Sequence, residues 1–215
     1  MTAAAQRRER GRPRLVDREA VIDAAVALGL SKLTMTALAE TLGVRHSTLY
    51  RHVGGRDDIV TAAADRVFDA APWPVPCDDW RQHVRDYART LMDLYEADPG
   101  LAAEVGRLRR APDGLLRALN DFRSALVDYG LSPDDTIVLS DLVMQLARQA
   151  YDFRRADDGS PLSEEEVRRE MRGRLDDVTR GADERVREAL VAFTAADSRH
   201  NFDVKLEHII RGFER

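Results

Sequence analysis

The sequence predicts an all-α protein with two parts: an N-terminal three-helix helix-turn-helix domain and a larger helical C-terminal domain. Three observations carry this reading. Apolar residues recur at three- and four-residue spacing along the 215-residue chain, and no stretch alternates as a strand would. Leu33–Arg56 reads as two short helices about a tight turn. Pro72-Trp73-Pro74-Val75-Pro76 sets three prolines in five residues and marks the best domain junction. The expected boundaries are 1–14 for a flexible basic arm, 15–71 for the first domain and 72–215 for the second.

The elements follow in order. Asp17 is a good N-cap for a helix carrying Ala20, Val21, Ala24, Ala25 and Leu28, with Gly29 at its end. Thr36–Leu42 is the next, packing through Ala37, Leu38 and Leu42. Gly43 ends it, where a residue without Cβ takes a left-handed conformation easily, and Val44 plugs the turn. The second helix of the motif is expected over His46–His52. Its apolar edge is thin, only Leu49 and Val53, and its other face is polar, aromatic and basic. Such a helix suits a groove better than a core.

A fourth helix begins at Arg56-Asp57-Asp58, is lined by Ile59, Ala62, Ala63 and Val67, and runs into Ala70-Ala71. After the junction, Asp78 or Asp79 caps a helix with Trp80, Val84, Tyr87, Leu91, Leu94 and Tyr95, broken by Asp98-Pro99-Gly100. A short helix holds Leu101, Val105 and Leu108. Another runs from Pro112 to Gly130. Ser132-Pro133-Asp134-Asp135 is a strong start for a helix reaching about Phe153. Residues 154–163 read as a loop and 164–178 as at most a surface helix. Two last helices are expected over 182–195 and 199–213.

Composition excludes several classes. The chain is 44% hydrophobic and 33% charged, which suits a folded, soluble protein. No apolar run approaches the ~20 residues of a membrane span, and the N-terminus is basic, unlike a signal peptide. No membrane association is expected, and a cytoplasmic location is. The single cysteine, Cys77, rules out an internal disulfide and reads as an incidental thiol. The net charge of −5 hides an asymmetry: residues 1–56 hold ten Lys/Arg against five Asp/Glu, and the remainder 23 against 33. A basic head on an acidic body points to a polyanionic partner for the head alone.

The five histidines (His46, His52, His83, His200 and His208) form no metal-binding or catalytic pattern, and paired acids such as Asp134-Asp135 are explained by capping. No enzyme activity, cofactor or metal is expected.

The ordering resembles the TetR family of bacterial transcriptional repressors. The resemblance rests on Asp17–Leu28 (DREAVIDAAVAL), Leu33–Ala39 (LTMTALA), Leu42-Gly43-Val44 and Ser47–Val53 (STLYRHV), and covers about the first 70 residues. His200–Phe213 is similar, more weakly, to the last helix of the tetracycline-repressor type. The resemblance implies that Arg45, His46, Ser47, Thr48 and Arg51 face base edges, with Arg45 and Arg51 suited to guanine. Thr36 reaches bases from the preceding helix, and Thr34, Tyr50, His52 and Arg56 contact phosphates. Separately, Arg10-Gly11-Arg12-Pro13 resembles the core of an AT-hook. Arg10 and Arg12 could therefore enter a minor groove, or the arm could be only a solvated basic tail.

The resemblance also implies a homodimer on a palindromic double-stranded DNA operator and a small-molecule effector in the C-terminal body. Candidate pocket residues are Trp80, His83, Tyr87, Phe122, Met144, Asp141, Gln145 and Arg148, with Tyr95 and Tyr151 as further aromatics. The helices over 133–153 and 199–213 are expected to form the dimer bundle. One feature of tetracycline repressors fails: Glu104 stands nearest the place of their metal-binding histidine, so a different ligand is expected. The implied mechanism is release from the operator when ligand favours another spacing of the two heads. Two alternatives stay open, a binder that needs no inducer (constitutive or co-repressor-dependent) and a helical protein-interaction module.

Overall fold

A computed structural model describes residues 16–152, residues 183–214 and, between them, 162, 163, 165, 166, 168–170, 172, 173 and 181. The described residues contain helices and turns and no strand, as the all-α reading requires. In order they are α1 (Arg18–Leu28), a 3₁₀ turn (Leu30–Lys32), α2 (Met35–Leu42), α3 (His46–Leu49), α4 (Arg56–Asp69), α5 (Trp80–Ala97), α6 (Leu101–Arg107), α7 (Asp113–Asp128), α8 (Pro133–Asp152), α9 (Glu184–Ala195) and α10 (Ser198–Arg211).

Capping chemistry fixes most of the starts. Asp17 accepts the Ala20 amide at 2.8 Å, and the Asp79, Asp183 and Asp197 carboxylates cap α5, α9 and α10 in the same way. Ser132 Oγ accepts the Asp135 amide at 3.1 Å, so Pro133 falls in the first turn of α8, where its missing N–H costs nothing. Thr34 caps α2, accepting the Ala37 amide at 3.0 Å, so α2 opens at Met35, one residue before the expected Thr36.

The second motif helix is shorter than the sequence pattern implies. Regular α-helix covers only His46–Leu49; Tyr50–His52 continue as tight turns, with Arg51 N donating to Thr48 O at 3.2 Å and His52 N to Leu49 O at 2.8 Å. Val53 N still donates to Leu49 O at 3.2 Å, and its side chain is buried at 6% exposure.

In the head, α1 crosses α4 through Val21 and Ala25 against Ala63 and Ala64, all fully buried. Alanines at the crossing let the two backbones approach closely. Leu38, Leu49 and Ile59 complete this part of the core. The exposed rim is laced by Arg18 with Asp58 at 2.6 Å and by Arg66 with Glu19 and Asp23.

The body is a helical stack in which α5 packs on α8, α8 on α10, and α7 on both α4 and α8. Ion pairs set the direction of α10 along α5. Arg85 meets Glu207 at 2.6 Å, Arg89 meets Asp203 at 3.4 Å and Glu96 meets Arg199 at 2.6 Å, so the two helices run antiparallel. On α9, Thr194 is the one buried residue, and Val186, Leu190 and Val191 lie exposed.

Head and body share one continuous apolar core, from Val21 to Ile210. Two glycines permit the close contacts between them. A Cβ on Gly100 would stand 2.0 Å from the Ser31 backbone nitrogen, and one on Gly114 would stand 2.7 Å from the Asp65 carbonyl oxygen. The 3₁₀ turn of the head therefore rests on the start of α6, and α4 rests on the start of α7, backbone against backbone. Asp98 reinforces the first contact by accepting the Leu30 amide at 2.9 Å.

Candidate DNA-binding site and effector core

The reading head is built on two anchors. Leu49 is fully buried and Val53 nearly so, and together they fix α3 to the head core. Gly43 adopts φ 65°, which lets Val44 N donate back to Ala39 O at 3.0 Å and swings the chain sharply from α2 into α3. With that edge buried, Arg45, His46, Ser47, Tyr50 and Arg51 project outward as one exposed surface, and Thr48 and His52 sit half-buried beside them.

Tyr50 is 54% exposed and meets the His46 ring edge-on at 5.3 Å, so it belongs to this surface and not to the core. Among the described residues, Arg51 makes only a long 3.4 Å bond to Thr48 Oγ1, and Arg45 and Ser47 have no side-chain hydrogen bond. The guanidiniums are free to meet an anion or a base edge. Thr36 is exposed on α2 near this surface, and Thr34, with its oxygen capping α2, keeps its O–H to donate. Arg10 and Arg12 lie outside the described residues.

Arg56 departs from the expected arrangement. Its guanidinium is turned away from the head surface: Nη1 meets Glu104 Oε2 at 2.7 Å and Nε donates to the Leu33 carbonyl at 3.2 Å. The reason is the nearby α6, which brings a nearly buried carboxylate with a greater claim on the cation than solvent has. Arg56 is thus a tie between head and body in this structure. Glu104 is corrected with it. Its second oxygen accepts from Arg107 at 3.1 Å, so the carboxylate is spent on two arginines and is not free for a ligand.

The other pocket candidates divide. His83, Tyr87 and Phe122 come together in the middle of the body. Tyr87 lies stacked between Phe122, at 3.9 Å, and Trp73, at 4.8 Å, and His83 tilts against Phe122 at 5.6 Å and Tyr129 at 5.9 Å. Among the described residues, both His83 nitrogens and the Tyr87 hydroxyl are buried without a hydrogen-bond partner, as is Thr136 Oγ1. Burial holds the His83 imidazole below its ordinary value, against the pull of Asp86, and raises the Tyr87 phenol.

Asp141, Gln145 and Arg148 are not in this core. They lie on the exposed side of α8, where Gln145 donates to Asp141 at 2.6 Å. The spacing that placed them near Met144 also fits the opposite helix face. Trp80 is half-buried with the Arg81 guanidinium over its ring, and Met144 is half-buried against the core. The side chain of Tyr151 is outside the described residues. Sequence reading missed Trp73, whose place among prolines hid its packing, and Thr136, which follows two capping carboxylates. Among the described residues no group of three or more metal-ligating side chains gathers, and no helix is long and apolar enough to cross a membrane.

No family model matches the chain. It is 28% identical over 204 residues to the HTH-type transcriptional repressor DrrR1 of Streptomyces coeruleorubidus, covering 91% of this chain and 75% of that one. An HTH-type transcriptional repressor of Mycobacterium tuberculosis is 29% identical over 103 residues, which is 45% of this chain and 38% of the relative. Among solved structures, a TetR regulator of Streptomyces coelicolor matches with a TM-score of 0.67 at 25% identity, over 92% of this chain and 97% of that one. The chain is a TetR-like transcriptional regulator. The same fold recurs in the TetR family protein ActR of Streptomyces coelicolor, with a TM-score of 0.73 at 22% identity, over 93% of this chain and 98% of that one.

In this TetR-like regulator the helix-turn-helix is the DNA-binding element, and Arg56–Glu104 joins it to the body. Bonded to Arg56 above all, the Glu104 carboxyl is held below its ordinary value of 4.5. A depressed carboxyl stabilises the fold fully above about pH 4.5, and that contribution is lost as pH falls through the lowered value. Arg56 is 38% exposed, so solvent screens the pair and its loss costs less than that of a fully buried one. Glu104→Gln should cost about 1–2 kcal/mol at pH 7. The gap from wild type, measured by urea unfolding, should close as pH drops below 4.5. A gap that persists at pH 3 would show that the pair contributes nothing through its charge.

Proposed function

We propose that the protein is a homodimeric repressor that reads a palindromic operator with α3 and leaves it when a small molecule enters the body. The observation that supports it best is the exposed surface of Arg45, His46, Ser47, Tyr50 and Arg51 held rigid by Leu49 and Val53. In this reading Arg45 and Arg51 read guanine edges, helped by His46, Ser47, Thr48 and Thr36. Tyr50, His52 and Thr34 hold phosphates, and the 1–14 arm with Arg10 and Arg12 follows the minor groove. The head spans 15–71 and the regulatory body 72–215.

Selection of bound fragments from genomic DNA should return a palindrome. Tyr50→Ala and Arg51→Ala should each weaken its binding by about 1–3 kcal/mol, with a steep loss of affinity in salt for the wild type. Unchanged affinity in both variants would end the assignment of α3 as the reading helix.

Dimerisation is supported by the outer face of α8 and α10. Ile137 and Val138 are each 51% exposed on α8, and a groove between the helices is lined by Leu142, Leu146, Val204 and Ile209. Two copies packed on this face would bury the stripe and set two recognition helices on one side of a twofold axis. Sedimentation at micromolar concentration should give twice the 24.2 kDa chain mass, and Leu142→Arg should halve it. A wild-type particle of single-chain mass would exclude this dimer.

The effector reading rests on the His83 and Tyr87 orphans, which meet at Phe122. Buried polar atoms without partners cost stability that a ligand with donors and acceptors would return. ActR has been crystallised in complex with actinorhodin, and a ligand-responsive repressor is the analogous reading here.

His83→Leu removes the unmet nitrogens. It should raise the thermal midpoint by about 2–4 °C, equal to roughly 1 kcal/mol. His83 stays neutral in the fold while an unfolded imidazole gains a proton below about 6.5. Wild type therefore loses stability as pH falls from 6.5, and the variant should lose less. A lowered midpoint at pH 7 would mean that His83 already has the partners it needs.

A further inference from the structure

The end of the reading segment is held by residues outside it. Regular helix stops at Leu49, Tyr50–His52 continue as turns, and Val53 anchors the chain on its inner side. Gly54 and Gly55 then lead into α4, and Gly55 sits at φ 137°, a conformation that a side chain would oppose. Two successive glycines leave a turn many shapes to choose from, so fixing one of them costs entropy. Gly55 is also the N-cap of α4 and has no side chain with which to cap it.

Asp58 closes this turn. From the first turn of α4 it reaches back, and its Oδ2 accepts the Gly54 amide at 2.9 Å. This is the acidic half of a capping box, shifted one residue outward. Arg18 orients the carboxylate in turn: Nη1 donates to the same Oδ2 at 2.6 Å and Nη2 to Oδ1 at 2.8 Å. Two parallel bonds fix a plane as well as a distance. Arg18 is the first residue of α1, an end at which the helix dipole disfavours a cation, and Asp58 offsets that cost. Arg66 makes the contrast. It also joins α4 to α1, but its partners Glu19 and Asp23 both lie on α1, away from the glycine turn.

We propose that Asp58 and Arg18 are positioning residues for operator reading: by holding Gly54 they set where Arg51 and His52 lie over the DNA, without touching DNA themselves. The role rests on α3 as the reading helix. Its sign separates it from simple electrostatics. Deleting a carboxylate from a DNA-binding surface by itself strengthens attraction to phosphates. A loss of affinity on removing Asp58 therefore runs against the change in charge and reports the lost hold on Gly54.

The test uses the full-length chain and the palindromic fragment recovered by genomic selection. Asp58→Ala should weaken operator binding about tenfold, the scale of one charge-assisted hydrogen bond. Without DNA, exchange of the Gly54 amide, followed by NMR on glycine-labelled protein, should quicken by a similar factor. Gly43, whose amide donates to the Glu40 carbonyl at 3.1 Å, should exchange as in wild type. Asp58→Asn keeps an oxygen for Gly54 and should recover most of both properties. Arg18→Gln should weaken binding severalfold with the salt slope unchanged; a slope lowered by about one would make Arg18 a phosphate ligand and overturn the proposal. Arg66→Gln is the control for stability: it should lower the thermal midpoint as Asp58→Ala does and leave operator affinity at the wild-type level. Equal losses of affinity in Asp58→Ala and Arg66→Gln, or no loss in Asp58→Ala where Arg51→Ala binds weakly, would overturn the positioning role alone. Unchanged affinity in Arg51→Ala as well would remove α3 as the reading helix and this role with it.

Discussion

The Arg56–Glu104 ion pair is the contact on which the head's position depends. One guanidinium holds three parts of the chain: it belongs to the first turn of α4, it bonds the Leu33 carbonyl just before the cap of α2, and it reaches a carboxylate on α6. Glu104 is 7% exposed, and its remaining oxygen is taken by Arg107. A charge so placed is costly to strand. Displacement of α6 must therefore carry Arg56 with it or leave a buried carboxylate short of a partner. Carrying Arg56 means moving α4 and the start of the helix-turn-helix together. The pair ties the head directly to α6 through side chains.

The neighbouring contacts point the same way. Gly100 and Gly114 let backbone touch backbone at two separate places, so the head is seated on the body at the 3₁₀ turn as well as along α4. Packed contacts of this kind do not stretch; they hold or they shift to another arrangement. Arg56–Glu104, Asp98–Leu30 and the Gly114–Asp65 hydrogen bond at 2.8 Å define three points between head and body, enough to fix an orientation.

Much of this was legible in the sequence, for local reasons. Asp17, Gly29, Gly43, Asp79 and Ser132-Pro133 act through the backbone within a few residues, so helix limits and turns could be read from them directly. The exposed face of α3 was legible because Leu49 and Val53 leave only one way to orient it. What was not legible depended on partners far along the chain. Arg56 looked like a phosphate ligand because it is basic and opens a helix beside the motif; its partner stands 48 positions later. Asp141, Gln145 and Arg148 share a spacing with core residues, but half a turn of rotation separates inside from outside, and the sequence pattern on α8 is apolar on two faces. The second apolar face, with Ile137 and Val138, is the one left uncovered.

That uncovered face and the orphaned core atoms are related by cost. A single chain would gain by making Ile137 and Val138 polar and by replacing His83 with an apolar side chain. The body does neither, and each departure is local: the first concerns a surface, the second an interior. Isolated defects of folding would be expected anywhere. Both of these lie in the body, and the head is tied to the same body through α6.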